Sequence, residues 1–353
     1  MTNLEQEAPL SAPPVFYSED YYQNVVREFG YSTFDLRRFD FSIAGIERDE
    51  LNLRYLCHHL ADRFVRTELQ GRIVTTGFGM SGPPHMASAS QIMKMVRLQQ
   101  GGEACQIVLG DMDAYNGRTR SYGFTRELAE RFRTFATRLG FDDARGVLRD
   151  QDTSADVLKT MYLLGRYTED ADFNAAEEDN HPYYAARGLV DATMTFRRRL
   201  SLALMAADFV SLGQRYDAVL VLLGVDEHKY VRFAQRTKER FDKDIPLRGD
   251  FLLSAIYTRM NRGFHGHPKS SKSIPGSGIT VETDADEIRR LVTSDHTREP
   301  ALSPVFQLMY QMTYTSYEEL MTIYQACIEG SRRWETEKGR FVDFLVHVKE
   351  LWP

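Results

Sequence analysis

The stretch DAVLVLLG, residues 217 to 224, constrains the fold more than any other part of the chain. Between its first and last residues it is apolar at every position, so as a strand it must be covered on both faces, the situation of an inner strand in a parallel sheet. Two similar runs lie upstream, RIVTTG (72 to 77) and ACQIVLG (104 to 110). Between them Met86, Ile92, Met93, Val96 and Leu98 recur at roughly helical spacing, and Gly101-Gly102 end the helix. After the second run DMDA reads as an acidic turn, FTRELAERFRTFATRLG (124 to 140) as an amphipathic helix and RGVLRD (145 to 150) as a further strand. The run DEHKYVRFAQRTKERF follows DAVLVLLG as a helix. Strand, crossover helix and strand, repeated, predict a doubly wound α/β core with a parallel sheet. From Thr283 onward the pattern is helix only, opening on a capping-box-like Thr283/Asp286 pair.

Bulk properties narrow the class. With 353 residues, 42% hydrophobic and 12% aromatic, the chain can bury one substantial core and a second, smaller one. A net charge of −6 argues against a general nucleic-acid coat, although Arg197-Arg198-Arg199 and Arg332-Arg333 are local clusters that could meet phosphate. Cys57, Cys105 and Cys327 are odd in number and far apart, as in a reducing compartment. The opening MTNLEQEAPLSAPP is unlike a signal peptide, and AVLVLLGV (218 to 225) is too short to span a membrane. A cytoplasmic chain with no membrane partner is expected, with residues 1–15 as a disordered tail. The acidic stretch DADFNAAEEDNHP (170 to 182) reads as a mobile surface loop.

In a doubly wound sheet, ligands bind beyond the carboxyl ends of the strands. That rule gathers three segments: GFGMSGPPHMAS after the first strand, GVDEH after the later one, and PKSSKSIPGSGI (268 to 279). The first has glycines that let backbone approach a ligand, then a helix N-terminus suited to phosphate. Taken alone, His85 at that terminus reads as a capping or surface histidine and Asp226 as a helix N-cap. The third holds two lysines, four serines, two glycines and two prolines. It is either a flexible linker or a mobile loop whose ammonium groups close over an anion.

With those residues in view, the chain resembles the class I aminoacyl-tRNA synthetases, most of all the tryptophanyl branch. Ser81, Gly82 and His85 of SGPPHMAS are similar to the family signature written H-I-G-H or H-x-G-N. Lys269, Ser271, Lys272, Ser273, Pro275, Ser277 and Ile279 fall in register with K-M-S-K-S and the x-P-x-S-x-I that follows it. LMAADFVSL (204 to 212) is similar to a tryptophanyl L-M-A-A-D segment and GVDEH to G-x-D-Q. YYQNVVREFG (21 to 30) resembles the N-terminal extension of archaeal and eukaryotic tryptophanyl enzymes. The resemblance implies a Rossmann-like catalytic domain over 72–282 with a helical insertion at about 120–215, preceded by an N-terminal extension at 16–71 and followed by a helical region at 283–353.

It also implies ATP-dependent activation of an amino acid, tryptophan or a related aromatic, to an aminoacyl-adenylate, with Mg²⁺ arriving on the ATP and a homodimer as the assembly. Met86, Met93 and Met95, with the apolar 190s to 210 segment, would supply a symmetric face. Lys269, Lys272 and His85 would be catalytic. Gly79, Ser81, Gly82, Ala87, Gly224, Asp226, Ser271 and Ser273 would join them in holding ATP, and Ser201, Met205, Asp208 and Glu227 would hold the amino acid. Several positions depart from the family: Ala87 for a glycine under adenine, Ser88 for His or Asn, Ser270 for the loop methionine, Ser201 for tyrosine, and Glu227 for a glutamine near the ammonium. Asp208, in an apolar helix, would accept an indole N–H or pair with a nearby arginine. The helical region stops about a helix short of the family pattern, which leaves the acceptor open: tRNA, or a small molecule as for some synthetase paralogues. A nucleotide-binding paralogue without catalysis is the third reading, and the lysines in register speak against it.

Overall fold

The computed structural model describes residues 14–272, 274 and 276–353. Seven strands form one sheet: β1 (Ser32–Thr33), β2 (Cys57–His59), β3 (Arg72–Gly79), β4 (Cys105–Gly110), β5 (Gly146–Asp150), β6 (Ala218–Gly224) and β7 (Leu252–Thr258), in the order β1-β2-β7-β6-β3-β4-β5. The five strands from β7 to β5 run parallel. β1 and β2 add antiparallel at the β7 edge, where Cys57 stands opposite Tyr257. The three strands of the doubly wound prediction that flank the site, β3, β4 and β6, are central and adjacent. β6 is buried along its length apart from Gly224, and Val219, Leu220, Val221 and Leu222 have no exposed surface. Covering each such side chain contributes about 1.5–3 kcal/mol, which is why this run cannot lie at an edge.

Each sheet face carries its own core. On one face the helix Met86–Gln100 packs with Tyr122–Arg138 and with C-terminal helices whose Trp334, Phe341 and Leu345 are buried in the same cluster. On the other lie Phe196–Leu212 and His228–Glu239, packed on Val219, Val221 and Leu253. Among the described residues no helix is long and apolar enough to cross a membrane, and the three cysteines are free and buried.

Six expectations need correction. DMDA opens a helix, Asp111–Gly117, because the Asp111 carboxylate accepts the Met112 and Gln151 N–H groups and so holds the chain in place. Thr283 and Asp286 form no capping box. The helix starts at Ala285, and Thr283 Oγ1 accepts instead from the Thr280 N–H at 2.9 Å. Residues 170–182 are not a loose loop but two short helices, Asp170–Ala175 and the start of His181–Ala185, clamped by charge. Asp170 pairs with Arg199, Asp172 with Arg240, Glu177 with Arg198 and Asp179 with Lys229. With Arg197 on Asp191, the arginine triplet is engaged within the chain and not free for phosphate. Residues 1–13 of the tail lie outside the described residues, yet Val15 is fixed: its N–H donates to Asn180 Oδ1 and its carbonyl accepts from Asn180 Nδ2. Last, Met86 and Met95 face the chain's own core and offer no free symmetric face.

The join between the 196–212 helix and β7 is tight. A methyl carbon on Gly213 would fall 2.2 Å from the ring of buried Phe251. Gly213→Ala should therefore lower stability by about 1–3 kcal/mol, read as a lower urea midpoint. Gly123→Ala, on an exposed helical position with open space around it, should leave the midpoint unchanged or raise it.

Candidate active site

β3, β4 and β6 end at the same side of the sheet, and a cavity of about 330 Å³ opens there. Gly79, Ser81, His85, Ala87, Ser88, Ser201, Met205, Asp208, Gly224, Asp226, Glu227, Lys269, Ser271 and Lys272 all line it. Gly82 is buried and does not, and Ser273 lies outside the described residues. Candidates spread over nearly 200 positions of sequence thus converge, with those two exceptions.

The lysine loop is built from small polar contacts. Ser277 Oγ accepts from the Ser271 N–H at 2.9 Å and reaches the carbonyls of Ile274 at 2.8 Å and Ser271 at 3.1 Å. Ser270 N–H donates to Asn261 O at 3.0 Å. Ile274 packs on Tyr183 and Tyr184, so the loop has hydrophobic support from the 181–185 helix. Its far end is stitched to the first glycine-rich turn: Met86 N–H donates to Ile279 O at 2.8 Å and Val281 N–H to Pro84 O at 3.0 Å.

Both lysines are parked. Lys269 Nζ is in ion-pair contact with Asp226 and 3.9 Å from Glu178. Burial works against its charge, but Asp226 and the neighbouring groups outweigh this and hold the ammonium well above its ordinary range. Lys272 Nζ donates to Gly79 O at 2.8 Å, and burial brings it down to about 8. A Cβ on Gly224 would stand 2.6 Å from Asp226 Oδ1 and 3.0 Å from Met260 Sδ, so the glycine leaves room for the Asp226–Lys269 pair. His85 caps the 86–100 helix through Nδ1, which accepts from the Ser88 N–H at 3.1 Å, leaving the ring proton on Nε2. Burial and then Lys272 and Lys269 push its pKa down to about 3, so the ring is neutral at pH 7.

Across the cavity, Asp208 is 4% exposed. Gln151 Nε2 donates to its Oδ2 at 2.7 Å, while Gln151 Oε1 takes the Asp113 N–H at 2.9 Å. Oδ1 has no partner among the described residues. No arginine pairs with it, since Arg149 turns to Ser154 and Asp156. Burial, only partly offset by Gln151 and Arg149, raises the Asp208 carboxyl to about 7. Burial, Asp226 and Glu178 lift the Glu227 carboxyl to about 8. Ser201, one turn before Met205, donates to Asp113 O at 3.3 Å.

Sequence reasoning missed Asp113, Arg118, Gln151, Glu178 and Tyr230, all of which line the cavity. Asp113 sits on the helix read as a turn and Arg118 at its C-cap, and Glu178 in the stretch read as a loop. Their one advance signal was the density of carboxylates at 111–113 and 177–179.

Residues 195–352 match the family model described as tRNA synthetases class I (W and Y). The tyrosine–tRNA ligase of Methanobrevibacter smithii is 24% identical over 259 residues, 70% of this chain and 73% of that protein. The tryptophanyl-tRNA synthetase of Aeropyrum pernix K1 superimposes with a TM-score of 0.75 at 18% identity, covering 95% of this chain and 94% of that one. The tyrosyl-tRNA synthetase of Archaeoglobus fulgidus complexed with L-tyrosine gives a TM-score of 0.64 at 17% identity, covering 82% and 92%. The expected resemblance thus reaches both the tryptophanyl and the tyrosyl branch. Taking the sequence match over residues 195–352 and the shared fold together, the chain is similar to the class I aminoacyl-tRNA synthetases of the tryptophanyl and tyrosyl type.

Proposed function

We propose that the protein uses ATP to convert an aromatic amino acid bearing a ring N–H or O–H donor into its aminoacyl-adenylate, and transfers the aminoacyl group to tRNA. The observation that carries the choice of amino acid is the free Asp208 Oδ1, a buried acceptor beside the Met205 thioether. An unmet buried acceptor costs about 1–3 kcal/mol, and a ring donor from the ligand would relieve it. Ser201, where the family has tyrosine, leaves room on the same helical face for a ring as large as indole.

The chemistry follows from the opposite wall. The substrate carboxylate attacks the α-phosphorus of ATP and pyrophosphate departs, so charge builds on phosphate oxygens. Lys269 and Lys272, on a loop able to move, would meet that charge in the transition state. Neutral His85 would donate Nε2–H to phosphate beside the free N–H groups of the helix end, with Mg²⁺ arriving on the ATP. Asp226 would accept the ribose hydroxyls after Lys269 releases it. Gly79, Ser81, Ala87, Ser271 and Gly224 complete this nucleotide wall, and Gly82 would act through the turn it belongs to. Passage of the aminoacyl group to a small acceptor is the second reading, favoured by the arginine triplet being engaged internally. Charging of added tRNA separates the two.

A homodimer belongs to this reading, with exposed Phe196 and Tyr162 in place of the buried methionines as its apolar contacts. Sedimentation should give roughly 81 kDa, twice the 40.6 kDa chain; a monomer at high concentration would remove it. Asp208→Ala should cut adenylate formation with tryptophan or tyrosine by about 1.5–3 kcal/mol relative to their donor-free isosteres, benzothienylalanine and phenylalanine. Equal losses for both kinds of substrate would make Asp208 a structural residue.

A further inference from the structure

Five acids line the cavity: Asp113, Glu178, Asp208, Asp226 and Glu227. Four are accounted for or weakened. Asp208 faces the ring, Asp226 holds Lys269, and burial raises both Asp113 and Glu227 toward the neutral form. Glu178 is different. Its Oε1 accepts the Tyr230 phenol at 2.7 Å and lies 3.9 Å from Arg118 Nη2, and its Oε2 lies 3.9 Å from Lys269 Nζ. At 3.9 Å these cations act through charge and not as hydrogen-bond donors, so no donor among the described residues reaches Oε2. Burial opposes its ionisation, yet Lys269, Arg118, Tyr230 and Arg198 prevail and hold it below the usual carboxylate range. The backbone that presents it is fixed by the flanking Glu177–Arg198 and Asp179–Lys229 pairs.

The Lys269 ammonium therefore sits between two carboxylates, touching one and standing just outside hydrogen-bond range of the other. If the loop carries it to the phosphates of ATP, Asp226 and Glu178 lose their shared cation together. Ribose hydroxyls can replace it at Asp226. At Glu178 the replacement must be positively charged and small.

We propose that Glu178 binds the α-ammonium of the amino acid substrate, in the place that Lys269 occupies before ATP enters. This rests on the adenylation reading above. It assigns to the 170–182 segment the amino-group recognition that Glu227, held near neutrality, cannot supply strongly. Arg118 and Tyr230 then act as positioning residues that keep the Glu178 carboxylate ionised and oriented.

The test is calorimetric binding in the presence of a non-hydrolysable ATP analogue, with tryptophan and tyrosine set against indole-3-lactate and 4-hydroxyphenyllactate, which carry a hydroxyl where the ammonium would be. Glu178→Gln should weaken the amino acids roughly ten- to a hundredfold, the range of a lost charge-assisted hydrogen bond, and leave the hydroxy acids unchanged. Glu178→Asp, which keeps the charge, should restore part of the preference for the amino acids and guards against misfolding of the glutamine variant. Equal weakening of amino and hydroxy acids, or no weakening of either, would overturn the assignment. Failure of the wild type to bind either aromatic amino acid would overturn the adenylation reading, and this assignment with it.

Discussion

Two backbone hydrogen bonds, Met86 N–H to Ile279 O and Val281 N–H to Pro84 O, hold the site together. They bind the glycine-rich turn after β3 to the segment that follows the lysine loop, two stretches nearly 200 residues apart in sequence. That seam fixes the chain just after the lysine loop beside the N-terminus of the 86–100 helix. Buried β6 sets the floor, since its five fully covered residues, Ala218 to Leu222, fix the middle of the sheet.

The charges inside the cavity are arranged in competing pairs. Lys269 occupies the carboxylate proposed for the ribose, and Lys272 rests on the carbonyl of Gly79. A nucleotide bound as proposed has to displace these contacts. An interaction given up in the resting state and regained on phosphate lowers ground-state binding without weakening transition-state stabilisation. Opposite it, Asp208 keeps one oxygen without a partner among the described residues, the cost that the proposed ring donor would relieve.

Much of this was legible in the sequence because its causes are local. The unbroken apolar run at 217–224, the glycine turn before His85 and the serine-rich lysine loop each carry their pattern within a dozen residues, and all stand where expected. What escaped depends on distant partners. β2 is only three residues long and exists through pairing with β7, some 200 residues later, and the two-residue β1 pairs in turn with β2. DMDA has turn composition, and only the link from Asp111 to Gln151, just past the end of the next strand, makes it a helix start. The acids of 170–182 look solvated until Arg199, Lys229 and Arg240 are brought beside them. For the same reason Glu178 was invisible as a site residue, and Asp208 could be seen as either an acceptor or an ion-pair partner.

The account stands or falls on whether this pocket makes an aromatic adenylate with its lysine loop. ATP–pyrophosphate exchange across a panel of amino acids, run on the wild type and on Lys272→Ala, tests that directly. The expected result is exchange with tryptophan, tyrosine or a related ring-donor amino acid, lowered about ten- to a thousandfold by Lys272→Ala with little change in ATP binding. Exchange with small aliphatic amino acids as fast as with aromatic ones, no exchange with any, or a rate indifferent to Lys272 would contradict it.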